Sequence, residues 1–239
     1  MVESRSLALV KSLKNEIKMK NNPQRKLHLL LFLLSSYCIS ILFFRIWFTV
    51  SNTYMFLVWN LILAYIPFVI SSIIKTRRLK SLPFFMVFVV WLSFLPNASY
   101  IITDIFHLKQ QKIIPLWFDL LLVVSFAVNG MLLFFLSIND MHILLLTRVS
   151  RRVTWLVTIL IFFLSGFGIY LGRFLRWNSW DVISNPRLLL FDIIERIRDP
   201  LSHPRTWGVT IGFGFLFLLG YLLLNVIQFN YQEKSILKR

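Results

Sequence analysis

Long apolar segments constrain the fold of this chain more than any other feature of its sequence. Each is close to the roughly 20 residues that an α-helix needs to cross the ~30 Å hydrocarbon core of a bilayer. The chain is also only 15% charged, whereas soluble domains average about 25%. We therefore predict an all-α integral membrane bundle of about six transmembrane helices. The predicted spans are 27–50, 54–74, 82–103, 115–138, 153–171 and 207–229.

The third segment differs from the others because a proline and several polar residues follow its apolar part. Between Trp91 and Leu108 the sequence reads WLSFLPNASYIITDIFHL. The apolar part, 82–95, is too short to cross a bilayer by itself. We therefore predict that the span continues through Pro96 as a kinked helix, because proline removes a backbone hydrogen bond inside a helix.

Basic residues near the ends of the segments predict the orientation in the membrane. With a cytoplasmic N-terminus, 17 of the 26 Lys and Arg residues fall in cytoplasmic segments, as expected from the positive charge of cytoplasmic loops. We expect cytoplasmic basic tails at 1–26 and 230–239, flanking a transmembrane domain at 27–229. The predicted partners are the bilayer and anionic lipids at its cytoplasmic face. This distribution of charge argues against nucleic acid as a partner.

Two segments outside the spans have the spacing of amphipathic helices. One lies in the basic tail 1–26, where a disordered tail is the alternative. The other, 185–200, lies in the predicted extracytoplasmic loop 172–206, and there Asn185 would cap a helix that starts at Pro186. We interpret this second segment as an interfacial helix or a lid. Its apolar face comprises Leu189, Leu190, Ile193, Ile194 and Ile197.

Acidic residues and a histidine concentrate at the predicted outer ends of spans three to five. Asp104 and His107 are three residues apart and would share a helix face. Such a pair can move protons, because histidine titrates near neutral pH. Asp119, near the start of span four, and Asp181, in the outer loop, would assist, so these four are the candidate catalytic residues. The alternatives are a wetted loop for Asp104 and His107, and for Asp119 the helix dipole or a salt bridge to an arginine.

The same end of the predicted bundle carries two arginines that could bind an anion. Arg173 and Arg176 are again three residues apart, and guanidinium groups suit phosphate or carboxylate. Together with Asn97 and Asn178 they are the candidate substrate-binding residues. The alternative is an interfacial anchor of arginines beside tryptophans. A metal held by the three aspartates and His107 is a further alternative, but histidines are few on this side, and we predict neither a metal nor another cofactor.

Few polar residues lie within the predicted spans. Asn60, Ser125 and Asn129 are expected to form hydrogen bonds between helices. The glycine pairs Gly168-xxx-Gly172 and Gly208-xxx-Gly212 are expected to let helices approach closely.

Several of these stretches resemble the signature segments of a bacterial membrane family known as domain of unknown function 1361. They are LPNASYIITDIFHL, PLWFD, the Asn129-Gly130 pair and GFGIYLGRFLRWNSWD. The resemblance covers about 82–181 and continues weakly into the last span. Ser99 stands where the family usually has proline, which leaves Asp104 and His107 in place. The resemblance implies a multi-pass protein of the bacterial plasma membrane without an assigned reaction.

Three classes of function remain open from the sequence. The first is an outward-facing site that binds or modifies an anionic envelope substrate, such as a lipid head group or polyprenyl phosphate. The second is a small-solute transporter, which would need a polar route through the membrane midplane, and only the neutral Asn60, Ser125 and Asn129 are expected near that depth. The third is a non-catalytic protein that docks a membrane-protein partner through the 185–200 helix.

Overall fold

The structure is a computed structural model that describes residues 23–77, 79–108 and 114–236, with side chains for 24–77, 79–108 and 114–227. The amphipathic helix predicted in the N-terminal tail lies outside the described residues. A 3-10 helix, Ile101–His107, directly follows the third α-helix. The α-helices are α1 (Pro23–Thr49), α2 (Phe56–Lys75), α3 (Ser81–Tyr100), α4 (Leu116–Leu146), α5 (Arg151–Phe174), α6 (Asp181–Ser184), α7 (Pro186–Arg198) and α8 (Pro204–Ile236).

Six helical stretches are long and apolar enough to cross a membrane, and they coincide with the six predicted spans. They are α1, α2, α3 with its 3-10 extension, α4, α5 and α8. Within the described ranges the chain is helical and has no strand. The predicted fold class is therefore confirmed, and the protein is a multi-pass membrane protein. The kink at Pro96, the boundaries of the tails and the orientation stay predictions.

The chain divides into two compact units, Met1–Asn52 and Thr53–Arg239. The described helix of the first unit is α1. The second unit contains α2 to α8, and within it α4 packs against α2, α3 and α5, while α5 packs against α8. Large side chains such as Trp91, Phe126 and Phe134 are fully buried. The functional site described below belongs entirely to this second unit.

Helix α4 extends to Leu146, well beyond the predicted end at 138. The polar residues after 138 suggested the end of a span, but the structure gives them partners on neighbouring helices. Asp140 forms an ion pair with Lys75 of α2, and His142 hydrogen-bonds through Nδ1 to Thr158 of α5 at 2.8 Å. Once its polar groups are satisfied in this way, a helix can continue through polar sequence.

Glycines bring α3 into close contact with two neighbours. A Cβ atom on Gly130 of α4 would lie 2.5 Å from the carbonyl oxygen of Ala98, and one on Gly168 of α5 would lie 2.5 Å from Cγ of Pro96. The close approach predicted for Gly168 is therefore confirmed. The one predicted for Gly208 and Gly212 is wrong for the described part of the chain, where a Cβ atom added to either would meet no neighbouring atom within 4 Å.

Two further expectations from the sequence are corrected. The hydroxyl of Ser125 donates to the carbonyl of Leu121 in its own helix at 2.6 Å, because a helical serine can satisfy itself one turn back. In the loop after α5 a helix does start at Pro186, but the side chain of Asn185 does not cap it. Instead its amide donates to Oδ1 of Asp181 at 3.5 Å.

The close contact at Gly130 predicts that Gly130→Ala destabilises the protein. The added methyl would meet the backbone of α3, which cannot rotate away, so we expect a loss of about 1–3 kcal/mol, partly offset by the better helix propensity of alanine. Gly208→Ala is the matched control, because a Cβ atom added there would meet no neighbouring atom within 4 Å in the described structure. Thermal unfolding in detergent measures both. Equal melting temperatures for the two variants would contradict the tight α3–α4 contact.

The arrangement of spans predicts which loops share a side of the membrane. In a Cys38→Ser background, cysteines at positions 107 and 202 should react with an impermeant thiol reagent from outside the cell. Cysteines at positions 77 and 152 should react only after permeabilisation. All four positions are exposed, and Cys38 is the chain's single cysteine. Reversed accessibility would overturn the orientation alone, whereas labelling of 107 together with 152 would overturn the six-span arrangement.

Candidate functional site

A buried ion pair joins the end of the third span to the end of α5. Nη2 of Arg173 lies 2.7 Å from Oδ1 of Asp104, and the two side chains are 11% and 1% exposed. The second carboxylate oxygen of Asp104 accepts a hydrogen bond from Nδ2 of Asn60 in α2 at 2.9 Å. Three helices therefore meet at one carboxylate, and we call this end of the unit the ion-pair end.

The remaining donors of Arg173 also contact the protein. Its Nε donates to the hydroxyl of Thr103 at 3.0 Å, and its Nη1 lies 3.3 Å from both ring nitrogens of His107. The guanidinium carbon lies 4.7 Å from the centre of the Tyr100 ring, within the range of a cation–π interaction. These contacts occupy three of the five N–H donors of the guanidinium, and the carboxylate of Asp104 offsets its charge towards an external anion.

His107 lies beside the ion pair at the surface. Its Nδ1 is 3.8 Å from Oδ1 of Asp104, and its side chain is 48% exposed. The ring also packs against Phe56, with centroids 5.0 Å apart. The predicted shared face of Asp104 and His107 is confirmed.

A cavity of 470 Å³ lies next to the ion pair, between α2, α3, α5 and the segment from Trp177 to Ile193. Asn60 belongs to both features, since it donates to Asp104 and also lines the cavity. Tyr100, whose ring contacts Arg173, is a second shared residue. The ion pair therefore holds part of the cavity wall in place.

Polar and apolar groups lie at different depths along the cavity. On α2 the polar Asn60 precedes the apolar Leu63, and on α3 the apolar Val89 and Leu92 precede the polar Asn97. Because the start of α2 and the end of the third span meet at Asp104, both polar residues lie towards the ion-pair end. The cavity thus has a polar end and an apolar interior within the spans.

The loop after α5 covers the polar end of the cavity. The amide nitrogen of Asn97 donates to the hydroxyl of Ser179 at 2.7 Å. Trp177 lines the cavity and donates from its indole to Oδ2 of Asp192 in α7 at 2.7 Å. Arg176 turns the chain with a φ of 63°, a left-handed conformation that is uncommon for a non-glycine residue. Its side chain is exposed.

Asp181 stabilises this loop from within. Its Oδ2 accepts a hydrogen bond from the backbone N–H of Asn178 at 2.8 Å, and its Oδ1 accepts one from the hydroxyl of Ser184 at 2.9 Å. These donors, the Asn178 N–H above all, hold the pKa of Asp181 below the usual range of an aspartate. Its carboxylate is therefore ionised at neutral pH and accepts hydrogen bonds within its own turn.

The structure brings some of the predicted site residues together and separates others. Asp104, His107 and Arg173 form one cluster. Asn97 and Asn178 line the cavity beside it. Asp119 is buried in the first turn of α4 and is not among the described cavity-lining residues. Within the described side chains, no group of three or more His, Cys, Asp or Glu residues could hold a metal ion.

The sequence did not identify three of the cavity residues as parts of a site. Asn60 was expected near the membrane midplane, but it lies just over one turn from the start of α2 at Phe56; its predicted hydrogen bond to another helix is confirmed. Trp180 was expected only as an interfacial anchor. Its ring meets that of Trp59 edge to face, with centroids 6.4 Å apart. A tryptophan beside an asparagine at the start of a span, Trp59-Asn60, was the available signal.

Comparison with known proteins identifies a family for most of the chain. The family model described as "Protein of unknown function (DUF1361)" matches residues 59–219, a range that includes every cavity-lining residue named above. No curated protein and no solved structure shows a significant match to the chain.

The buried ion pair predicts strong and coupled effects of substitution. Asp104→Asn and Arg173→Gln should each destabilise the protein by about 3–5 kcal/mol, because each leaves a buried partner uncompensated. The double variant should lose less than the sum of the two. Arg176 is exposed in the loop that follows α5, so Arg176→Gln should change stability by less than about 0.5 kcal/mol. Thermal unfolding of all four variants measures this coupling, and strictly additive losses would contradict a direct Asp104–Arg173 interaction.

Proposed function

The chain belongs to DUF1361, a family of proteins of unknown function, and we propose that it binds a lipid-like amphiphile in the cavity beside its ion pair. The observation that carries this proposal is the distribution of groups along the cavity, which is polar at the ion-pair end and apolar within the spans. An amphiphile has the same distribution along its length. The bilayer supplies such molecules directly.

The size and the opening of the cavity support this proposal. Its 470 Å³ falls within the 300–1,000 Å³ typical of small-molecule sites. One of its lining residues within the spans, Val89 of α3, is about half exposed, at 49%. Side chains exposed at this depth face lipid, so an alkyl or prenyl chain could enter sideways from the bilayer.

The charges around the cavity give little support to the anionic envelope substrate that the sequence suggested. Arg173 is neutralised by Asp104, which leaves it poorly suited to bind phosphate. An anionic substrate is therefore the alternative, in which a lipid phosphate or a polyprenyl phosphate lies against the exposed Arg176 of the loop that covers the cavity. In this proposal the apolar chain of the amphiphile lies inside the cavity and its head group lies at the polar end.

Binding is better supported than catalysis. Among the described residues that line the cavity, Tyr100 is the one with an ionisable side chain, and no Asp, Glu or His is present. General acid–base catalysis needs a titrating group within hydrogen-bond reach of the substrate. Asp104 is not among the described lining residues; it contacts Asn60, and its partner Arg173 contacts the ring of Tyr100. The proposed role of Asp104 and Arg173 is therefore to position Asn60 and Tyr100.

A photoactivatable long-chain alcohol with a diazirine in its alkyl chain tests this proposal in lipid nanodiscs. We expect saturable crosslinks to residues that line the cavity. Leu63→Trp should reduce these crosslinks at least several-fold, because the larger side chain fills the apolar interior.

Ile62→Trp is the matched control for this experiment. Ile62 is the sequence neighbour of Leu63, is 51% exposed and is not among the residues described as lining the cavity. This variant should crosslink like the wild type. Crosslinks that do not saturate, or that fall equally in both variants, would show ordinary lipid contact and would overturn the proposal.

A further inference from the structure

The polar end of the cavity carries hydrogen-bonding groups but no formal charge. Three asparagines line it, Asn60, Asn97 and Asn178, together with the hydroxyl of Ser179. From this we infer that the head group held there is uncharged and rich in hydroxyls, as in a glycosylated lipid or an alkyl glycoside. The inference rests on the proposed amphiphile binding and narrows it to one chemical class.

The hydrogen bonds of the asparagines favour a ligand that donates. The amide nitrogen of Asn97 donates to the backbone oxygen of Phe94 and to Ser179. That of Asn60 donates to Asp104, and that of Asn178 lies 3.4 Å from Asp181. Asn97 uses both N–H donors of its amide on the protein, and Asn60 and Asn178 each use one of two. The three amides therefore offer a ligand more acceptor sites on their carbonyl oxygens than N–H donors.

The common classes of lipid head group differ in whether they can donate hydrogen bonds to these carbonyl oxygens. Hydroxyl groups donate hydrogen bonds and therefore match carbonyl oxygens. A phosphate diester only accepts, and a trimethylammonium group has no N–H or O–H to donate. Either ion would also lose hydration inside the cavity without an opposite charge in the wall, which is costly. The nearest charged groups, Asp104 and Arg173, already neutralise each other.

The aromatic residues at the polar end of the cavity also favour an uncharged head group rich in hydroxyls. Trp59, Trp177 and Trp180 all line the cavity. A sugar ring has apolar C–H faces as well as hydroxyl edges, so its faces can pack on aromatic rings while its edges meet the amide oxygens. Indole rings provide large apolar surfaces of this kind. An aromatic wall alone would also suit a cation. A cation in this cavity would, however, have no opposite charge in the wall to compensate its lost hydration.

Competition among three probes that share one alkyl chain tests the inference. Decyl glucoside, decyl phosphate and decyltrimethylammonium would each displace the photoactivatable alcohol from the protein in nanodiscs, below their micelle concentrations. We expect decyl glucoside to displace it at an at least about tenfold lower concentration than either ion, as one or two additional hydrogen bonds allow.

Three variants locate the effect. Asn97→Leu should weaken displacement by decyl glucoside about tenfold, because it removes a carbonyl acceptor. Continued crosslinking of the alcohol shows that the cavity of this variant is intact. Should the variant fail to fold, Trp180→Leu tests the same end of the cavity and should also weaken the glucoside selectively. Arg176→Gln should leave the glucoside result unchanged.

The outcomes separate this inference from the proposal on which it rests. If decyl phosphate competes best and loses its advantage in Arg176→Gln, the uncharged head group is wrong while amphiphile binding stands. Equal competition by all three probes would likewise overturn the head-group inference alone. If no probe displaces the alcohol, both the inference and the proposed function fail.

Discussion

The buried contact between Asp104 and Arg173 fixes the part of the molecule on which the proposed function depends. It joins the 3-10 extension of α3 to the end of α5, and Asn60 adds α2 through the second carboxylate oxygen. These are the three helices that wall the cavity. A buried ion pair contributes little net stability, because both ions lose hydration, but removing either partner is costly. The pair is best understood as a constraint on geometry.

The bilayer explains why several N–H donors near the cavity are paired within the protein. A polar group without a partner costs several kcal/mol where no water is present. Asn97 therefore bonds to Ser179 and to the backbone, and Trp177 bonds to Asp192. The same pairing removes net charge from the cavity wall and leaves amide oxygens as its main polar feature. A site of this kind suits recognition of an amphiphile better than proton transfer.

Much of the fold could be predicted from sequence, because length and hydropathy decide whether a helix can span a bilayer. The pairing of Asp104 with His107 also followed from local spacing, and the proximity of Arg173 followed from the alternation of spans. The sequence could not predict which partner each polar side chain contacts. Spacing does not show whether Arg173 meets an aspartate or a ligand, nor that Asp140 and Lys75 would allow α4 to continue. Asn60 was misplaced in depth because hydropathy locates the end of a span only to within a turn.

An experimental structure of the protein in a lipid nanodisc would test the central claim most directly. The account predicts continuous density for one apolar chain between α2, α3 and α5, with its polar end beside Asn97 and with Asp104 and Arg173 in direct contact. A cavity filled by the protein's own side chains, or an Asp104 carboxylate turned away from Arg173 towards solvent, would contradict it.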